Sequence, residues 1–311
     1  MTDKGTDLRD ILRDSLGEGI LTFLADEEVT DILLNDDGHL WVDRLGFGMS
    51  DTGLLVDPDD AQNAIRLVAS NVHKVVNPEN PVIDAELPLS GERFHGDIPP
   101  IVKIPTFAIR KKAIKVFCLA DYVASGIMTE GQKAVIERAV KDHKNILVVG
   151  GTGSGKTTLC NAILREMASY HERIIIIEDT QELQYCGENR VYYKTSETKS
   201  IRDLIAHAMR MRPDRIVVGE LRDSAALDLL KAWNSGHPGG ICTIHANSVI
   251  GGLRKLEQYI SEVSANPQSR TISDVVDLVI FIRRKDKSRI VEEIVAVFGY
   301  KDENYIVEKV V

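Results

Sequence analysis

The chain has 311 residues, of which 43% are hydrophobic and 27% charged, the balance of a globular protein with material for about two domains. That balance excludes a disordered chain and a collagen-like repeat. With 38 Lys and Arg against 47 Asp and Glu the net charge is −9, which excludes nucleic-acid binding by bulk charge and leaves only a local basic patch for it.

No apolar run approaches the ~18 residues of a membrane-spanning helix. Met1 to Asp14 mixes acids and bases without the apolar core of a secretory signal. The four cysteines, Cys118, Cys160, Cys186 and Cys242, form no C-x-x-C pair. This spacing predicts small buried thiols in a reducing compartment rather than a zinc site or disulfides. The expected location is cytoplasmic.

Along the chain, Leu8, Ile11, Leu12 and Leu16 recur at helical spacing, as do Ala64, Ile65, Val68 and Ala69. Between them Ile32-Leu33-Leu34 and Leu40-Trp41-Val42 flank Asn35-Asp36-Asp37-Gly38, the signature of a hairpin. Pro78, Pro81, Pro88, Pro99, Pro100 and Pro105 then recur. Proline has no N–H for a ladder, so this stretch is expected to hold edge strands and loops. Residues 1–115 thus read as a small α+β domain and 116–125 as a linker.

Residues 126–311 read as an α/β domain. Thr129-Glu130-Gly131-Gln132 is a capping box, and Val135, Ile136, Ala139 and Val140 form the buried stripe of the helix it starts. Apolar runs follow at Ile146–Val149, Ile174–Ile177, Ile216–Val218 and Ile241–Ile244, with Ile201, Leu204, Ile205, Ala208 and Met209 at helical spacing among them. Strands apolar at every position suit a mainly parallel sheet covered by helices on both faces. The tail, Val275 to Val310, reads as strands with a charged turn at Arg283 to Arg289.

Gly150-Gly151-Thr152-Gly153-Ser154-Gly155-Lys156-Thr157 matches G-x-x-x-x-G-K-[ST] in full, between a strand and a helix. In such a P-loop, backbone N–H groups from Gly151 to Thr158 cradle phosphate oxygens. Lys156 brings a charge to the β- and γ-phosphates, and the Thr157 hydroxyl suits Mg²⁺. Acids end the neighbouring strands: Glu178 and Asp179 with Glu182 close behind, and Glu220 after Gly219. Ligands of an open parallel sheet sit at the carboxyl ends of its strands. These acids are therefore candidates to hold Mg²⁺ or to activate the attacking water, with helix capping the alternative for Asp179, Glu220 and Asp223. His245 ends another strand at the same edge and is a candidate γ-phosphate contact. His237 is either a second such contact or structural.

The runs GGTGSGKTT, IIIIEDTQEL, IVVGELRD and GHPGGICTIHANS, in this order, resemble the secretion-system traffic ATPases, above all the hexameric ATPases of type IV secretion and conjugative transfer. Weaker likeness upstream, through ILLNDDGHLWVDRLG, ELPLSGERFHGDIPP and FAIRKKA, extends over nearly the whole chain. The resemblance implies a RecA-like C-terminal domain, ATP and Mg²⁺ as ligands, a ring of six subunits, and ATP-coupled domain closure that drives pilus assembly or substrate translocation. It makes Glu220 the favoured water activator and Glu178 its aid at the metal. It assigns Arg93 and Arg110 to the phosphates, and it offers Arg210 and Arg215 as fingers toward a neighbouring subunit. Lys111, Lys112 and Lys115 beside Arg110 are expected to form a solvated face, an acidic lipid or DNA being the alternative. No aromatic stripe accompanies them, so there is no strong nucleic-acid signal. Partners would be other secretion subunits, with any hold on the inner membrane coming through those partners or surface charge. A type II secretion or pilus-retraction ATPase is the nearest rival, expected to carry more N-terminal sequence or a tetracysteine module. A kinase or GTPase (no N-K-x-D motif is found) and a nucleotide-gated scaffold stand further off.

Overall fold

The computed structural model describes residues 4–44, 47–88, 91–111, 116–285 and 288–310, with side chains from residue 10 onward. Two compact units comprise Met1–Ile114 and Lys115–Val311.

The first unit runs α1 (Lys4–Ala25, kinked at Gly17), β1 (Val29–Leu34), β2 (His39–Arg44), β3 (Gly48–Leu55), α2 (Pro58–Asn71), β4 (Val82–Glu86), β5 (Arg93–Asp97) and β6 (Thr106–Arg110). The strands form one antiparallel sheet in the order β3-β2-β1-β6-β5-β4. The hairpin expected at Asp37-Gly38 forms, with Leu34 opposite Leu40 and the Asp37 carboxylate accepting from the His39 N–H at 3.0 Å. Asp57 caps α2 by accepting from the Asp59 N–H at 2.8 Å, and Pro58 occupies the first turn, where no N–H is needed. Leu12, Leu16 and Ile20 of α1 and Ala64, Ile65 and Val68 of α2 close the core over Ile32, Val42, Phe94 and Ile109.

Here the structure corrects three expectations. Ile11 is 46% exposed, so the buried stripe of α1 runs through Leu12, Leu16 and Ile20; the Leu8 side chain lies outside the described residues. The prolines all fall in connections, and β5 and β6 are interior strands with only β4 at the edge. The ladder needs N–H donors along its strands and none between them, so proline punctuates rather than marks an edge. Lys111 does not face solvent freely: its ammonium donates to the carbonyls of Phe23 and Asp26 at the end of α1, and burial lowers its pKa. Lys112 and Lys115 lie outside the described residues.

The second unit begins with α3 (Leu119–Ala124) and α4 (Glu130–Lys141), and continues β7 (Ile146–Gly150), α5 (Lys156–Met167), β8 (Ile174–Glu178) and β9 (Arg190–Lys194). Then come α6 (Ile201–Ala208), β10 (Arg215–Val218), α7 (Ala225–Asn234), β11 (Ile241–His245), α8 (Val249–Ser261), α9 (Ser269–Val275), β12 (Leu278–Lys285), β13 (Ser288–Lys301) and β14 (Asn304–Lys309). The sheet order is β14-β13-β12-β7-β11-β10-β8-β9, parallel from β12 to β9 and antiparallel in its last two strands. The α/β reading with a mainly parallel sheet therefore holds. Every residue of β7 and β8 is buried, because α3, α4 and α5 cover one face and α6 to α9 the other. The capping box at Thr129 forms, its hydroxyl accepting from the Gln132 N–H at 3.1 Å. Val135 is only half-buried in the stripe that follows. The edge strand β9 carries no apolar run, which is why periodicity does not mark it. Cys160 and Cys242 are buried as expected, but Cys118 is half-buried and Cys186 exposed. Among the described residues no helix is long and apolar enough to cross a membrane.

Two basic or titratable candidates prove structural. Arg215 is fully buried: it pairs with Glu172 and donates to the carbonyls of Gly239 at 3.1 Å and Val140 at 2.9 Å. A guanidinium with its donors spent inside its own core cannot reach a neighbouring subunit, so the finger reading fails for Arg215, whereas Arg210 is exposed. His237 lies by Pro213 O, 3.0 Å from its Nδ1, before the amino end of β10 and thus at the edge opposite the P-loop. It is no phosphate contact.

Candidate active site

β7 delivers the chain to the loop at the carboxyl edge of the sheet, and α5 takes it away. The turn into α5 passes through Gly155 at φ +94°, a left-handed conformation that residues with a Cβ avoid. The loop and the α5 N-terminus together supply backbone N–H groups of the kind a polyphosphate needs. Thr157 and Thr158 are half-buried in the first turn. Lys156 is only 7% exposed, and its ammonium lies 3.0 Å from the carbonyl oxygens of both Gly150 and Gly151. The loop thus curls back over its own lysine and aims it.

Three side chains far apart in sequence meet there. His245 is the direct neighbour of Gly150 in the β11–β7 register. Its Nδ1 lies 3.3 Å from the Lys156 ammonium and its Nε2 lies 2.6 Å from Glu220 Oε1. An ammonium can only donate, so Nδ1 must accept; the proton of the neutral ring is thereby placed on Nε2. Burial, and then the charge of Lys156, lower the His245 pKa, with Glu220 opposing them. The imidazole is therefore neutral at pH 7. Glu220 directs its other oxygen to Arg222, whose Nε donates at 2.7 Å. The strand-end turn before it is held by Thr243, which donates to Gly219 O at 2.7 Å, while Leu221 N–H donates to Thr243 O at 2.9 Å.

Glu178 has a different environment. It is 4% exposed, and its Oε1 accepts from the N–H groups of Glu182 at 3.1 Å and Leu183 at 3.0 Å. A Cβ on Gly219 would come within 2.7 Å of Glu178 Cγ, so the glycine before Glu220 makes room for a second carboxylate. Asp179 accepts from the Thr195 hydroxyl at 3.0 Å and caps no helix, since none follows it. Asp223 does serve a helix start, accepting from the Ala225 N–H at 2.8 Å. Asn161, 1% exposed, tethers the loop after β8 to α5 through Gln184 N–H at 2.7 Å. In the other unit, Arg93 and Arg110 are direct partners across β5 and β6, and Arg110 Nε lies 4.0 Å from Asp31. Sequence pattern does not single out Arg222, Thr243 or Asn161; only the position of Arg222 two residues beyond Glu220 hints at a charge pair.

Among the described residues no three His, Cys, Asp or Glu side chains cluster as a metal cage. Mg²⁺ does not require one, because it keeps waters and phosphate oxygens and takes one or two protein oxygens. The Thr157 hydroxyl and the carboxylates of Glu178 and Glu220 are hard oxygen donors of that kind, so the donor chemistry fits.

The profile of the family described as "Type II/IV secretion system protein" matches residues 18–296. The conjugal transfer protein TrbB of Rhizobium radiobacter is 46% identical over 299 residues, covering 96% of this chain and 92% of that protein. The type IV secretion system protein VirB11 of Bartonella quintana is 30% identical over 286 residues, covering 79% of this chain and 80% of its own length. Among solved structures, the Legionella pneumophila ATPase DotB is similar with a TM-score of 0.65 at 18% identity, over 89% of this chain and 79% of its own. The Brucella suis VirB11 ATPase, determined with sulphate, gives 0.50 at 24% identity over 93% and 95%. At these identities the structures establish the fold alone, whereas the profile and the sequence relatives establish descent. A phosphate loop, a strand-end glutamate and a strand-end histidine converging on one sheet edge, within a chain matched over nearly its whole length, make this protein a member of the type II/IV secretion system protein family.

Proposed function

We propose that the protein is an ATP-hydrolysing motor of a type IV secretion system that serves conjugative transfer. The convergence of Lys156, His245 and Glu220 at the phosphate loop carries this reading. Glu220 accepts the proton of the water that attacks the γ-phosphate, and Lys156 lies against the charge that develops there. Glu178 has an oxygen committed to two backbone N–H groups, which suits a fixed structural carboxylate better than a base. That contrast favours Glu220 as the activator. His245, neutral and wedged between Lys156 and Glu220, aligns the two. Thr157, with Glu178 and Glu220 through water, would hold Mg²⁺, whose charge offsets that of the phosphates when bound. Gly151 to Thr158 supply the cradle, and Arg93 and Arg110 are assigned to the phosphates on the family resemblance.

The 46% identity to a conjugal transfer protein favours this reading over a pilus-retraction motor, whose solved example here shares 20% identity. A homohexameric ring, other secretion subunits as partners and a place at the cytoplasmic face of the inner membrane belong to the same proposal. Steady-state phosphate release from purified protein tests the chemistry: ATP and Mg²⁺ together should support turnover and Lys156→Ala should abolish it. A preference for GTP, or phosphate appearing on an acceptor, would displace the motor. Solution mass with ATP and Mg²⁺ tests the ring, which a monomer under every condition would refute.

A further inference from the structure

The P-loop has two flanks, and the site described above uses one of them. β7 lies between β11, which brings His245, and β12, whose partner β13 turns back beside the loop. On this second flank Arg289 packs against the loop itself. A Cβ on Gly155 would come within 2.9 Å of Arg289 Cδ and 3.3 Å of its Nε, with Ile282 Cδ1 at 3.6 Å. Gly155, besides making the left-handed turn, leaves room for the Arg289 side chain to lie close against the loop at the N-terminal end of α5. Arg289 is half-buried, and its charge reaches the buried Tyr122 of α3 closely enough to oppose the rise that burial imposes on that phenol.

The register supplies an independent observation. Arg289 stands directly opposite Arg284 across β12 and β13. Directly opposed residues of an antiparallel pair share a face of the sheet, so the register brings a second guanidinium to the face on which Arg289 meets the loop.

We propose that Arg289 contacts the bound nucleotide on its α- and β-phosphate side, away from His245 and Glu220. The inference rests on the nucleotide-binding reading of the P-loop. His245 and Glu220 sit on the β11 flank and mark the reacting end of the triphosphate. The β12–β13 flank therefore meets the phosphates that remain after hydrolysis. A guanidinium there holds ATP and ADP alike, by charge-assisted hydrogen bonds to oxygens that take no part in bond breaking.

Titration with a fluorescent ADP, and competition by ATP, gives the test. Arg289→Ala is expected to weaken both nucleotides about tenfold and by the same factor, the loss of one hydrogen bond to a charged group. Arg289→Lys should recover part of that loss, since a point charge replaces the planar fork. Unchanged ADP affinity, or a loss confined to ATP, overturns the proposal. A second measurement uses the wild-type protein and does not depend on the folding of a variant. Phenylglyoxal labelling of Arg289, read by peptide mass spectrometry, should fall when ADP is added, and equal labelling with and without ADP counts against the contact. If wild-type protein binds no ADP at all, the nucleotide-site reading itself fails. If it binds ADP in a Lys156-dependent way and Arg289 is indifferent, only this inference falls.

Discussion

Replacing Glu220 with glutamine separates binding from chemistry. The substitution keeps the side chain's volume and removes its charge, at a position where one oxygen lies 2.6 Å from His245 Nε2 and the other 2.7 Å from Arg222 Nε. The amide oxygen can still accept from Arg222. Its NH₂ then faces the Nε2 proton of His245, a donor against a donor. The imidazole can relieve this only by moving its proton to Nδ1, which faces the Lys156 ammonium at 3.3 Å. No base remains for the attacking water, and the loss of a positioned general base costs about 10²–10⁴ in rate. At 1.36 kcal/mol per decade this is about 3–5 kcal/mol of transition-state stabilisation. The P-loop is untouched, so the dissociation constant of a fluorescent ADP should stay within about threefold of wild type, the pattern of an interaction made only in the transition state. Single-turnover phosphate release under saturating ATP and Mg²⁺ is the assay. A wild-type rate from Glu220→Gln would refute the assigned chemistry.

Four further outcomes follow from the same geometry. Lys156→Ala should abolish measurable ADP binding, as read by the same titration, because it removes the ammonium that the loop encloses. Arg215→Ala should destabilise the protein by about 3–5 kcal/mol, because it strands the partly buried Glu172 and two carbonyls. Its thermal midpoint should drop accordingly, whereas a normal midpoint with a collapsed rate would restore the finger reading. The pKa of His245 is lowered from 6.5, first by burial and then by Lys156, so the unfolded chain takes up this proton at higher pH than the folded one. The group's contribution to stability is therefore full above pH 6.5 and is lost as pH falls through the depressed folded value. The acid limb of the kcat/KM profile, which reports the nucleotide-free enzyme, should lie below 6.5 too, and a limb above it would contradict the neutral imidazole. Gly219→Ala brings a methyl within 2.7 Å of Glu178 Cγ and should cost about 1–3 kcal/mol by overpacking. Turnover should fall with it, and unaltered stability and rate would show that Glu178 moves aside freely.

How much was legible beforehand depended on the range of the interaction. Local grammar was sufficient wherever one segment sets its own geometry. Thr129 and Gln132 announce a capped helix, Asp37-Gly38 a hairpin, and the glycines before Lys156 a loop that must curl around an anion. The runs Ile146–Val149 and Ile174–Ile177 could only be strands covered on both faces. Short-range patterns also named Glu220 and His245, since each ends a buried strand at the edge where an open parallel sheet binds ligands.

What pattern could not supply was partnership. Arg210 and Arg215 look alike in sequence, yet one is exposed and the other spends its donors inside the core, because only the fold brings Glu172, Val140 and Gly239 around Arg215. His237 and His245 each follow a glycine or strand signal, and only the strand order places them at opposite edges of the sheet. Pattern alone does not rank Glu178 and Glu220, which only the family resemblance does; in the fold the backbone of Glu182 and Leu183 engages one and leaves His245 and Arg222 to the other. The approach of Arg289 to Gly155 joins residues 134 positions apart. The sequence by itself determined which segments become strands, helices and a phosphate loop, because those depend on periodicity and turn chemistry within a few residues. Tertiary structure alone decided which charges meet at the phosphate loop and which are spent inside the core, because burial and pairing belong to residues that only folding brings together.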